Sequence, residues 1–306
     1  MKSISLATIC CLFFLTLPLP QTSAAEKEAN RTRFYIATPE GKNPKPFFFS
    51  EDYYNTGSPT FSPDGQKLAF DGWKSQEGEN FSDAHIMVVN ADGTDFKVLG
   101  PGAMPSWSPE GDRIAFTQSA PAGVAIMDAD GSNREMIEPG GWGAQWSPDG
   151  KKIAYRFYTS RRPNIRVYDL IEDTKTDLFP EGESPYSNLY WNMAWSPDSN
   201  WLCFNGRKIS GRVNDVATIN VGGMKQGYKV HYTDKNAPYS DFAWSPQGDM
   251  IVFCPKKTPR QLYKFNPADN KAPKPINIKL DGYINGDVCF TPDGQQLLFN
   301  RRDKAP

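Results

Sequence analysis

The sequence predicts an all-β protein, a six-bladed β-propeller with four strands per blade, its ring closed by N-terminal strands that complete the last blade. Three observations predict it. A ten-residue phrase occurs six times: FSPDGQKLAF (61–70), WSPEGDRIAF (107–116), WSPDGKKIAY (146–155), WSPDSNWLCF (195–204), WSPQGDMIVF (244–253) and FTPDGQQLLF (290–299). Its prolines, Pro63, Pro109, Pro148, Pro197, Pro246 and Pro292, lie 46, 39, 49, 49 and 46 residues apart. A period of about 40–50 residues with strand-rich units marks a propeller. Finally, the last phrase has too little chain after it for a whole blade, and the missing strands have counterparts near the N-terminus.

Within a repeat, each element follows from its residues. The aromatic at the head of the phrase ends the first strand. Ser-Pro-Asp-Gly then turns the chain: proline presets φ, Asp bonds back to the backbone, and Gly takes the conformation that other residues resist. The alternating run that follows, such as Lys67-Leu68-Ala69-Phe70, is the second strand. Third strands follow at 85–90, 124–128, 165–169, 216–220 and 262–266. Polar turns such as Ala91-Asp92-Gly93 lead to short fourth strands. The sixth phrase provides two strands only. Residues 33–41 repeat the pattern of HIMVVNADG, and residues 46–49 that of a fourth strand, so residues 32–49 are expected to pair with 286–301.

This reading divides the chain into a leader, 1–25, and one propeller, 26–306. The blades are 58–99, 104–137, 143–178, 192–232, 241–278, and 286–301 joined by 32–49. The aromatics Phe61, Trp107, Trp146, Trp195, Trp244 and Phe290 recur at one repeat position, which suits packing between blades. Burying each contributes on the order of 1.5–3 kcal/mol.

The leader has the pattern of a secretory signal peptide: Lys2, the apolar run Ile9–Leu19, then Ser23-Ala24-Ala25 at the cleavage site. The apolar run is too short to span a bilayer, and no other stretch is apolar enough, so the mature chain is expected to be exported, periplasmic or extracellular, without a transmembrane segment. Removing residues 1–25 takes away Lys2 and moves the net charge from −1 to −2. That balance argues against a nucleic-acid partner. Three cysteines remain, Cys203, Cys254 and Cys289, too odd a count for a full disulfide framework. Cys203 replaces the alanine of other repeats and reads as a core residue, while a Cys254–Cys289 bridge stays open.

The phrase W-S-P-D-G-x-x-I-A-F resembles the WD40-like propeller repeat of the TolB family, over residues 32–302. The resemblance implies a binding scaffold of the cell envelope. TolB works with a peptidoglycan-associated lipoprotein and carries an extra N-terminal domain. Here only residues 26–32 separate the predicted cleavage site from the first strand, so that domain is expected to be absent and no particular partner is implied.

Function is expected on the loops between second and third strands and between blades, since the Ser-Pro-Asp-Gly and Asn-Ala-Asp-Gly turns occupy the other face. Four of these loops are basic, at 156–162, 207–212, 256–260 and 301–304. Arg161, Arg162, Arg207, Arg212, Lys256 and Lys257 are the residues expected to meet an anionic partner. Trp73, Tyr158 and Trp191 share that face. Aromatics among arginines suit an interface, stacking on sugar rings, or the anchoring of loops. The segment from Asp71 to Ala84 is the longest such insertion and reads as a lid, a partner-contacting loop or a mobile tip.

The leading expectation is therefore a non-catalytic, monomeric scaffold without cofactor or metal, recognising an envelope or extracellular protein, or an anionic glycan or peptide, at the loop-lined mouth. The alternative is a carbohydrate-active enzyme, a polysaccharide lyase or glycosidase, using Asp or Glu there. No Gly-x-Ser-x-Gly elbow occurs, and two histidines, His85 and His231, are too few for a His-rich metal site. Asp128-Ala129-Asp130-Gly131 resembles the start of a calcium loop, but position twelve is Pro139.

Overall fold

The computed structural model describes residues 31–75, 81–159, 162–235, 241–255 and 260–302. The leader (1–25), Arg161, Lys256, Lys257 and Lys304 lie outside the described residues. Six antiparallel sheets form six blades. Blade 2 shows the plan: Ala103–Trp107 innermost, then Arg113–Ser119, Ala122–Asp128, and Glu135–Pro139 outermost. Blade 4 departs from it, because its first strand comes in two pieces, Tyr186–Leu189 and Ala194–Trp195, both paired with Trp201–Lys208.

The last blade is shared by the chain ends. Its sheet runs from Tyr283–Phe290 through Leu297–Arg302 to Thr32–Ala37 and Lys45–Phe48. The register is continuous from Thr32 opposite Arg302 to Ala37 opposite Leu297. The expected closure is therefore observed, and it removes the free edge that an open ring would offer.

The turns explain the conserved spelling of the phrase within this chain. Ser62 Oγ donates to Asp64 Oδ1 and accepts from Lys67 N at 2.9 Å, while Gln66 N donates to the same carboxylate at 3.0 Å. Where the phrase has Glu110 or Gln247 in place of that Asp, an aspartate two residues on takes over: Ser108 Oγ donates to Asp112 and Ser245 Oγ to Asp249. The glycine position has φ between +70° and +81° in five repeats. In the fourth repeat Ser199 occupies it at +58°.

Six buried clusters hold the ring, one at each blade seam. Phe34, Ile36 and Leu298 of blade 6 pack with Leu68, Phe70 and Met87 of blade 1. The aromatics that head the phrases join these seams as expected: Trp107 packs with blade 1, Trp146 with blade 2 and Trp195 with blade 3. Main-chain groups are also captured across the seams. The first strands of blades 1, 2, 3 and 6 each carry a register break. A bulge leaves N–H and C=O groups that its own ladder does not pair. The residue after the second-strand aromatic of the preceding blade reaches them. Met104 N donates to Asp71 Oδ2 at 2.8 Å, and Gly143 N donates to Thr117 Oγ1 at 2.9 Å.

Candidate binding face

The two faces of the ring differ. One carries the Ser-Pro-Asp-Gly and Asn-Ala-Asp-Gly turns, whose aspartates are occupied by their own turn. Asp92 accepts from Thr94 N and Oγ1, as Asp130 does from Ser132. Hydrogen bonds from those hydroxyls hold Asp64, Asp92, Asp130 and Asp293 below the usual carboxylate range. The other face carries the loops expected to bind.

On that loop face, blades 3 and 4 meet around Arg156. Its guanidinium lies over the rings of Tyr158 at 4.6 Å and Trp191 at 5.5 Å, and its Nη1 donates to Leu189 O at 3.3 Å. Burial lowers its pKa. Tyr158 is 49% exposed, and its hydroxyl donates to Asn188 Oδ1 at 3.2 Å. Arg207 pairs with Asn188 through the backbone and is exposed, as is Arg212, which has φ +51° in the next turn. Ile209 between them is 46% exposed. Arg162 is half-buried, and its main-chain N–H donates to Thr159 Oγ1 at 3.1 Å. The structure thus brings Tyr158, Trp191, Arg162, Arg207 and Arg212 to two adjacent blades.

Trp73 has another position. It is 5% exposed and lies against Phe81 with 6.1 Å between centroids. Its ring faces protein, because the short 3₁₀ turn Phe81–Asp83 folds the end of the long blade 1 insertion over it. Phe81 also meets Trp142 at 5.7 Å and Trp191 at 6.0 Å, both edge-on. The aromatics of blades 1, 3 and 4 thereby pack together beside the axis, and Trp191 presents only part of its surface. Ile209 escaped the sequence reading, which weighed only charge and aromaticity.

A cavity of about 460 Å³ lies on the axis, lined by the phrase aromatics and by prolines including Pro63, Pro109 and Pro292. Asp241 lines it as well. Asp241 hydrogen-bonds Asp287, and burial pushes the Asp287 carboxyl up. Asn300 donates to Asp287. Asp215, in blade 4, accepts from Thr233 Oγ1 at 2.7 Å and pairs with Lys208 at 3.2 Å. These acids connect strands and blades. Among the described residues no three His, Cys, Asp or Glu groups stand at metal-binding spacing. Cys203, Cys254 and Cys289 form no disulfide with one another, and burial pushes the Cys254 thiol up to about 12. No helix among the described residues is long and apolar enough to cross a membrane.

A six-bladed ring of these repeats defines a β-propeller of the WD40-like kind. The family model for the TolB β-propeller domain matches residues 118–305, more than half of the chain, and the chain belongs to that family. The structure of a putative TolB from Agrobacterium tumefaciens superposes with a TM-score of 0.71 at 16% identity, covering 90% of this chain and 99% of that one. An uncharacterized protein of Agrobacterium fabrum is 31% identical over 120 residues, which are 33% of this chain and 39% of that protein. A Tol-Pal system protein TolB of Novosphingobium aromaticivorans is 44% identical over 55 residues, 17% of this chain and 12% of its own. The chain spans less than half the length of either curated relative.

Proposed function

We propose that the chain is an exported, non-catalytic binding scaffold, periplasmic or extracellular, that engages an envelope or extracellular protein, or an anionic glycan or peptide, through its loop face. The observation that carries this reading is where exposed apolar side chains lie. Of the six large ones among the described residues, Phe49, Tyr158, Ile209 and Tyr283 are on the loop face. Three of them are covered by arginines: Arg33 lies 4.7 Å over Phe49, Arg156 4.6 Å over Tyr158, and Arg260 5.7 Å over Tyr283. Arginine–aromatic couples combine apolar contact with a fixed positive charge, the composition of interface hot spots. Lys256, Lys257 and Arg161 add positive charge to the same loops.

The resemblance to a Tol-Pal component supports an envelope partner, and the near-neutral total charge supports a local positive arc over a global one. The test is affinity capture on immobilised residues 26–306 from an envelope extract of the source organism. Capture of one stoichiometric partner by the parent, lost in an Arg207→Glu/Arg212→Glu/Ile209→Asp variant of unchanged melting temperature, is the expected result. Equal capture by both proteins would refute the loop-face reading.

A further inference from the structure

Between blades 5 and 6 the loop face holds a pocket that shares no residue with the proposed blade 3–4 contact. Its volume is about 340 Å³, enough for a small ligand. It exists because the fourth strand of blade 5 is only two residues, Lys274–Pro275, after which residues 276–282 cross the face to reach blade 6. That crossing alternates. Ile276, Ile278 and Leu280 pack into the blade 5–6 core, while Asn277, Lys279 and Asp281 are exposed. Two three-residue turns, from Ile278 N to Ile276 O at 3.1 Å and from Leu280 N to Ile278 O at 3.2 Å, run along it.

The positive groups of the pocket come from three directions. Arg301, 8% exposed, comes from the second strand of blade 6, Arg260 from the blade 5 loop, and Lys279 from the crossing segment. Among the described residues that line it, Asp281 is the one acid. The Arg301 fork is fixed: Nη1 donates to Tyr35 OH at 2.7 Å, and the guanidinium lies 4.9 Å over the Tyr35 ring. Gly282 makes room for it. At φ +89°, a Cβ there would stand 2.4 Å from the main-chain Arg302 O, 2.9 Å from Arg301 Nε and 3.0 Å from Nη2. A preorganised arginine fork loses little freedom on meeting a planar anion. Ile276, Ile284 and Leu280 supply apolar wall beside it.

We propose that this pocket binds a carboxylate carried on an apolar stem, with Arg260 and Arg301 holding the carboxylate and the Ile276–Ile284 wall receiving the stem. The pairing follows from an arginine-lined, net-positive pocket with a hydrophobic side. The carboxylate of a peptide C-terminus and that of a free small acid share this chemistry.

The test is calorimetric titration of residues 26–306 with N-acetyl-L-leucine, its amide, and a pentapeptide ending in a free leucine carboxylate. Binding of either acid at least tenfold tighter than the amide supports the proposal, and the tighter of the two acids identifies the source. Arg260→Gln and Lys279→Gln, both on the surface of the pocket, should each weaken the acid severalfold without changing the melting temperature. The Arg207→Glu/Arg212→Glu/Ile209→Asp variant should bind the acid like the parent, which separates this pocket from the blade 3–4 surface. Equal affinity for acid and amide, no binding of either acid, or acid binding indifferent to Arg260→Gln would overturn the proposal.

Discussion

Asn300 Nδ2, in the second strand of blade 6, donates to the main-chain carbonyl of Thr56 in blade 1 at 3.0 Å, across the seam that closes the ring. Its Oδ1 accepts from Gly286 N at 3.1 Å and from Asp287 N at 3.0 Å, inside the bulge of its own blade. One buried amide thus satisfies main-chain groups from both sides of the seam. Removing it leaves several of them unpaired, at about 1–3 kcal/mol for each buried group. Asn300→Ala should lower stability by about 3 kcal/mol in chemical denaturation. Asn300→Asp should be worse at pH 7, because it sets a further carboxylate beside Asp287 and Asp241, and its penalty relative to the parent should shrink as pH falls. An Asn300→Ala protein as stable as the parent would remove this residue from the closure.

The closure itself is tested by length. Deleting residues 26–50 removes both N-terminal strands of blade 6, Phe34 and Ile36 with them, and exposes Leu68, Phe70 and Leu298, which packed against them. The truncated chain should lose its cooperative melting transition. Unchanged melting would show that the ring does not depend on the shared blade.

Gly143 stands where the register of the blade 3 first strand breaks, at φ +73°. A Cβ there would lie 2.3 Å from Trp191 O. Gly143→Ala combines backbone strain with a main-chain clash and should cost about 3 kcal/mol or more. It should also displace Trp191, read as a change in tryptophan fluorescence. A variant with neither effect would refute the packing of the Trp191 segment on blade 3.

Ser199 holds the turn conformation that glycine holds in the other five repeats, and its Oγ accepts from Asp149 N at 3.0 Å in the preceding turn. Ser199→Ala keeps the strain and loses the bond, whereas Ser199→Gly loses the bond and relieves the strain. Ser199→Gly should be the more stable of the two by about 1 kcal/mol. The reverse order in thermal melts would contradict the geometry.

His231 lies on the outer strand of blade 4, 2.9 Å from Thr218 Oγ1 and against the ring of Phe265. Burial, then repulsion from Lys229, lowers its pKa from 6.5 to about 4. A histidine depressed in the folded state contributes stability above pH 6.5, and that contribution is lost as pH falls towards 4. After allowance for its partial exposure the effect is about 1 kcal/mol. His231→Gln should flatten the stability profile between pH 6.5 and 4, measured by urea unfolding. An unchanged profile would place the acid sensitivity elsewhere.

The architecture was legible because the phrase encodes it locally. Proline, aspartate and glycine fix a turn within five residues, and alternation fixes the strands around it. Even the substitutions at Glu110 and Gln247 are readable beside Asp112 and Asp249. The seam captures by Asp71, Thr117 and Asn300 were not, because each residue differs and each partner is a main-chain group in another blade. The placement of Trp73 depended on Phe81 folding back from the far end of a long insertion, a contact that no periodicity reports. The pocket at Arg301 depends on Gly282, more than a blade-width of sequence from Tyr35, and only ring closure brings these residues together.

The central claim is that this ring binds through its loop face. Hydrogen-exchange footprinting of residues 26–306, alone and with the captured partner, tests it most directly. Added protection at residues 156–159, 187–191 and 207–213, with none at the Ser-Pro-Asp-Gly turns, is the predicted result. Protection confined to those turns, at residues 62–66, 108–112 and 147–151, would place the partner on the opposite face and contradict the account.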